Sequence, residues 1–140
     1  MNPNLTCITL AVRSLPKSLR FYQALGYKAG FKSPEVIFFQ LNSSVLALYD
    51  AKLYNADLKR KASASKAAGA ISLALNLPSK KAVDAVFAKA RKAGAKVVRA
   101  PHAAVWGGYT SYFTDPDGHA WELAWNPHWK LDKKGAVRLK

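Results

Sequence analysis

Glu122 is the side chain best placed to do chemistry. It lies in Tyr112-Phe113-Thr114-Asp115-Pro116-Asp117-Gly118-His119-Ala120-Trp121-Glu122-Leu123-Ala124-Trp125, which reads as strand, turn, strand. Alternation along the second strand places Glu122 between Ala120 and Ala124 on one face, with Trp121, Leu123 and Trp125 on the other. A carboxylate buried in such surroundings needs a metal, a proton or a hydrogen-bonding partner. The chemistry on offer is therefore metal ligation, proton abstraction next to a carbonyl, or anchoring of a polar ligand group. An acid at a solvated sheet edge is the alternative reading. The turn itself is well specified. Asp115 can hydrogen-bond the following backbone, Pro116 has its φ set in advance, and Gly118 closes the reversal.

Further candidates surround this one. Thr9, Gln40 and Asn76 are polar anchors for a small molecule, with Tyr49, Trp106, Tyr109, Tyr112 and Trp125 as aromatic walls. Trp106-Gly107-Gly108-Tyr109 would let a ligand approach the backbone closely. Tyr49 or Tyr109 could donate a hydrogen bond beside a catalytic Glu122. The same aromatics would equally suit a core or a dimer interface.

The elements that must position these residues fall into a repeated order. Residues 6–12 read as a strand with Ile8, Leu10 and Val12 on one face and Cys7, Thr9 and Ala11 on the other. Ser14 is an N-cap and Pro16 sits in the first turn of a helix that Gly26 ends. Residues 27–31, 36–41 and 45–49 follow as strands, the last two joined by Asn42-Ser43-Ser44. Residues 51–69 read as a connector with some helix. A second strand spans 70–77, its aliphatic face being Ile71, Leu73 and Leu75. Ser79 then caps an amphipathic helix over 82–93, with Val83, Val86, Phe87 and Ala90 inward, which Gly94 stops. Strands over 96–99, 108–114 and 119–125 complete the set. Ile71 restarts the plan 63 positions after Ile8, an internal duplication.

DPDGHAWEL, together with this repeat, resembles the C-terminal signature of the vicinal oxygen chelate superfamily of glyoxalases, bleomycin-resistance proteins and extradiol dioxygenases. The resemblance covers residues 5–126. It implies an α+β fold of tandem βαβββ modules, over 5–50 and 70–126, forming a half-open, cupped mixed sheet with helices outside. The chain would be a single domain of 1–140, with 127–140 a basic tail. In the metal-dependent members Glu122 would be the last of four ligands. The other three positions fall on Cys7, Ala47 and Ser72. Ala47 has no donor atom and Ser72 is a poor ligand for a hard divalent metal, which wants imidazole and carboxylate. None of His102, His119 and His128 falls on these positions; His102 and His128 read as loop residues. The expectation is a degenerate metal site, no cofactor, and a small aromatic or anionic ligand in the cavity. The other expectation is a metal-independent lyase or isomerase with Glu122 as general base. The resemblance also implies a homodimer.

Composition bounds the rest. The chain has 140 residues, half of them hydrophobic, enough for one well-formed core. Cys7 is the only cysteine, so an internal disulfide and CxxC motifs are excluded. No apolar run approaches the about 18 residues of a membrane span, and the N-terminus lacks a signal-like pattern, so a cytoplasmic location is expected. The net charge is +14, from 22 Lys and Arg against 8 Asp and Glu. These basic residues are scattered along the chain and match no nucleic-acid recognition motif, so a solvated surface is expected rather than a nucleic-acid partner.

Overall fold

A computed structural model describes residues 5–59 and 71–139. The chain divides into two compact units, Met1–Ala67 and Ala68–Lys140. Each unit is a four-stranded mixed sheet with a helix on one face. Residues 60–70, which include the second half of the expected connector and the first residue of the strand expected over 70–77, lie outside the described residues.

The first unit runs β1 (Cys7–Val12), α1 (Leu15–Ala24), β2 (Ala29–Lys32), β3 (Val36–Gln40), β4 (Val45–Asp50) and α2 (Ala51–Asp57). Its sheet order is β1-β4-β3-β2, with β1 and β4 parallel and the remaining pairs antiparallel. Ser14 caps α1 by accepting from the Lys17 amide, and Gly26, at φ 101°, takes the left-handed conformation that ends it. The aliphatic face behaves as expected: Leu10, Val12, Leu46 and Leu48 are buried. Phe39 joins them, and the α1 residue Tyr22 packs on Phe39 and Tyr27 with ring centroids 5.8 and 5.6 Å apart. Burying each such side chain contributes about 1.5–3 kcal/mol.

The second unit runs β5 (Ser72–Asn76), α3 (Lys80–Lys92), β6 (Lys96–Ala103), β7 (Tyr109–Thr114) and β8 (Ala120–Trp125). The order is β5-β8-β7-β6, again with the first pair parallel. Ser79 caps α3 through the Ala82 amide, and Lys89, Arg91 and Lys92 complement the dipole at its end. Val83, Phe87 and Ala90 on α3 are buried together with Phe113, Trp121 and Leu123.

Two readings of the sequence are corrected and two are filled in. Ile71 precedes β5 and is 71% exposed, so it is not part of the helix-facing layer. Strand β6 extends to Ala103, well past residue 99, and therefore contains His102. Residues 51–57 of the connector form α2, capped by Asp50, whose carboxylate accepts from the Lys52 and Leu53 amides. The basic tail holds a further antiparallel hairpin, β9 (Lys130–Leu131) and β10 (Val137–Arg138). Asp132 ties its turn by accepting from the Lys134 and Ala136 amides and the Arg138 guanidinium. Those bonds hold the Asp132 carboxyl below its usual pKa.

Candidate active site

The expected turn forms as its residues dictate. The Asp115 carboxylate is buried, and its Oδ1 accepts from the amides of Asp117 and His119, each at 2.9 Å. Its Oδ2 lies 2.8 Å from His119 Nδ1, and Gly118 sits at φ 91°. This closes β7 and β8 into a fixed register: Tyr112 opposite Glu122, Thr110 opposite Ala124, and Thr114 opposite Ala120. On the other side of β8, Glu122 faces Ala74 and Ala124 faces Asn76. The face that carries Glu122 is thus the one turned away from α3.

On this face Glu122 is held by two hydroxyls. Tyr112 donates to its Oε1 at 2.7 Å and Thr110 donates to the same oxygen at 2.9 Å. Thr110 is buried and also lies 3.0 Å from the Leu123 carbonyl. Among the described residues Glu122 Oε2 has no protein partner, so one carboxylate oxygen is fixed and the other is not. The hydrogen bond to Glu122 raises the Tyr112 pKa above that of an ordinary phenol, aided by burial and partly offset by Thr110 and the Arg99 charge. Arg99 stands opposite Tyr112 on β6, which completes a cross-strand row Ala74, Glu122, Tyr112, Arg99. Such a carboxylate can anchor a donor group or accept a proton from a carbon acid.

Of the residues expected around Glu122, Tyr112 is in direct contact and Asn76 lies on the same face two positions along β5 from Ala74. Tyr109 and Trp125 are not on this face. They pair with each other on the α3 side, where Tyr109 donates to Asp84 at 2.9 Å. The Lys80 ammonium lies 5.9 and 5.4 Å from their ring centroids, a cation–π arrangement that fastens the start of α3 to the sheet. The bond to Asp84 raises the Tyr109 pKa. Tyr109 therefore cannot serve as a donor beside Glu122, because the sheet separates them. Trp106 belongs to the β6–β7 hairpin, 44% exposed, with its ring packed against Gly108 so closely that a Cβ there would collide with it. Gly108 thus accommodates the indole, where the sequence suggested a ligand.

Thr9, Gln40 and Tyr49 belong to the first unit. Gln40 is exposed and its amide donates to the Leu41 and Ser44 carbonyls at 2.7 and 3.2 Å, closing the β3–β4 turn. Tyr49 donates to Asp57 at 2.9 Å, which fastens α2 to β4 and raises the tyrosine pKa. Thr9 lies opposite Ala47 and within 3.8 Å of the exposed Cys7 sulfur. Among the described residues no three His, Cys, Asp or Glu side chains gather as a metal cluster.

Thr110 and Arg99 were missed in the sequence. Thr110 was within reach: counting outward from a turn closed by Asp115 and His119 sets Tyr112 opposite Glu122, with Thr110 two residues along on the same face. Arg99 was hidden, because β6 shifts register between Val97 and Arg99 and again between Arg99 and His102. Simple alternation fails across such bulges.

Comparison with known proteins agrees with this architecture. The family model described as Glyoxalase/Bleomycin resistance protein/Dioxygenase superfamily matches residues 4–123. A glyoxalase-related enzyme from Fulvimarina pelagi is 32% identical, with a TM-score of 0.89 and 97% of each chain covered. A hypothetical protein from S. aureus is 25% identical, covering 90% of this chain and 95% of its own, at a TM-score of 0.78. A lactoylglutathione lyase from Agrobacterium tumefaciens shares the fold at 20% identity, a TM-score of 0.69, and 90% and 96% coverage. No curated protein matches the chain.

Proposed function

The chain belongs to the glyoxalase/bleomycin resistance protein/dioxygenase superfamily, and within it we propose that its second module binds a small molecule on the Glu122 face without a family-type metal. The supporting observation is the carboxylate itself: Oε1 is fixed by Tyr112 and Thr110, while Oε2 has no protein partner among the described residues. Binding groups of this kind, rigid on one side and unsatisfied on the other, orient a ligand at little entropic cost.

A divalent metal does not suit the donors present. Ala47 offers no ligand atom, Ser72 offers only a neutral hydroxyl, and the Cys7 thiol is exposed beside Thr9. Glu122 Oε1 already accepts two hydrogen bonds. Hard divalent ions favour imidazole and carboxylate sets that these four positions do not supply.

The test is thermal denaturation of the protein with a panel of neutral and anionic aromatic compounds. A ligand at a hundred times its Kd stabilises by about 2.7 kcal/mol. A raised midpoint that Glu122→Gln abolishes supports the reading; no shift with any compound counts heavily against it.

One observation favours an enzymatic version, a lyase- or isomerase-type reaction with Glu122 as general base. A carboxylate with one oxygen held and one free is arranged to take a proton from carbon. In that step Oε2 would gain the proton of a C–H next to a carbonyl, and the C–H electron pair would pass to the carbonyl oxygen as an enolate. For a substrate that bears a hydroxyl on that carbon, the hydroxyl proton would pass to the former carbonyl oxygen and Oε2 would return its proton to the former carbonyl carbon, which completes an isomerisation. The hydrogen-bond partners are Tyr112 and Thr110. The relative from Fulvimarina pelagi is named a glyoxalase-related enzyme, which accords with this version. Glu122→Gln should then abolish turnover with the fold intact, and retained turnover would rule the role out.

A further inference from the structure

We propose that the ligand of the Glu122 face is a small carboxylic acid carrying a hydrogen-bond donor, hydroxyl or ammonium, a few bonds from its carboxylate. This rests on the binding reading above and adds the chemistry of what is bound.

The register of the edge strand β6 is the first ground. Lys96 and Val97 pair with Thr114 and Phe113 in simple alternation. Continued unbroken, that register would set Val98 opposite Tyr112. One residue is inserted instead, and Arg99 takes the position. Carried on from there, Pro101 would face Thr110, but a second insertion brings His102 to it. Bulges re-aim side chains. Each of these two exchanges an apolar residue for a basic one on the face of Glu122. With Lys96 opposite Thr114, three basic residues border that face along one strand.

The second ground is that these groups are not consumed by the protein. Arg99 is exposed, and neither the His119–Asp115 nor the Arg138–Asp132 ion pair involves it. Its nearest acid along the row is Glu122, one strand beyond Tyr112, and no salt bridge joins them. His102 Nδ1 lies 2.8 Å from the Ala100 carbonyl, which can only accept, so Nδ1 carries the proton and Nε2 is left for another partner.

The two ends of the row make opposite demands. A planar guanidinium fork matches a carboxylate, which it binds through two parallel hydrogen bonds. Glu122 Oε2 accepts a hydrogen bond and repels a bare anion. A simple anion would satisfy Arg99 and oppose Glu122; a simple cation would do the reverse. A molecule with an acid at one end and a donor near it satisfies both, while the Tyr112 hydroxyl, already donating to Glu122, can accept a second donor.

The experiment uses three related probes in amide-resolved NMR titrations of the full chain: mandelate, mandelamide and phenylacetate. Mandelate has both groups, mandelamide lacks the charge, and phenylacetate lacks the hydroxyl. Mandelate should perturb β6, β7 and β8 and bind at least tenfold more tightly than mandelamide, and several-fold more tightly than phenylacetate. Arg99→Ala should erase the preference for mandelate over mandelamide. Glu122→Gln should erase the preference for mandelate over phenylacetate. Both variants should keep a wild-type spectrum elsewhere. Equal binding of mandelate and mandelamide at these strands, or an Arg99→Ala variant that still discriminates, overturns the acid while leaving small-molecule binding intact. If no probe perturbs these strands the inference falls, and the binding reading is then decided by the compound panel.

Discussion

The two modules share a plan and differ in what they put on it. In the second, the row across the sheet is Ala74, Glu122, Tyr112, Arg99; in the first, the corresponding row is Thr9, Ala47, Phe38, Phe31. Strand order, strand directions and even the bulge in the outer strand recur, between Ala29 and Phe31 in one and between Val97 and Arg99 in the other. Yet a carboxylate, a phenol and a guanidinium in the second module stand where alanine and two phenylalanines stand in the first. Phe31 and Phe38 pack on each other at 5.6 Å between centroids. The helix-facing sides, by contrast, are mainly aliphatic and aromatic in both, the buried Ser111 of β7 being an exception. Packing against a helix constrains both copies alike, whereas the other face is available for specialisation, and of the two rows only the second carries ionisable groups.

That contrast can be broken or sharpened by substitution. If the helix-facing layers are equivalent, Phe39→Ala and Phe113→Ala should each cost about 3–5 kcal/mol in urea unfolding. A cost in one module only would show that the other is not a cooperative part of the fold. The next largest effect is at alkaline pH and belongs to the first module. Burial pushes the Tyr27 pKa up to about 12 from 10. The unfolded chain releases this proton near pH 10 while the native protein keeps it. The resulting stability is fully present below pH 10 and is lost as pH rises toward 12, by roughly 2 kcal/mol for such a shift. Tyr27→Phe should flatten that part of the pH profile, and an unchanged profile would contradict the assignment.

Smaller effects separate the two rows. Tyr112→Phe removes one of the two donors to Glu122 and should cost about 1 kcal/mol in stability. Ligand affinity should fall with it, because the carboxylate loses its fixed orientation. In Glu122→Gln the Tyr112 phenol should titrate closer to an ordinary value, readable by ultraviolet absorbance, since its strongest perturbation is gone. At the bottom of the scale, Thr9→Val in the first row should leave ligand affinity unchanged within about 0.5 kcal/mol. A large loss there would move part of the site into the first module.

Much of this was legible from residue types alone. Periodicity, the Ser14 and Ser79 caps and the stop glycines Gly26 and Gly94 are local signals, and they located the strands and helices of both modules. The turn Asp115–Gly118 identified Glu122 as a central acid, whereas Tyr112 was read only as an aromatic wall, although counting back from that turn sets it opposite Glu122. What was illegible depended on departures from regular register. Two inserted residues in β6 moved Arg99 and His102 onto the Glu122 face, whereas Tyr109, three positions from Tyr112, lies on the helix side by the regular alternation of β7. Trp106 and Gly108 suggested a ligand because a glycine permits close approach, but the approaching group is the indole two residues away. Gln40 and Tyr49 likewise satisfy their own turn and helix. Side chains that look free in a sequence are often spent on neighbours that only tertiary structure supplies.

The central claim is that Glu122 anchors a ligand directly and not through a metal. Elemental mass spectrometry of the purified protein and of Glu122→Ala tests it most directly. No stoichiometric transition metal in either sample is the predicted result. Stoichiometric metal in the wild type that disappears in Glu122→Ala would contradict it, and would mean that the chain assembles a metal site from residues outside the four family positions.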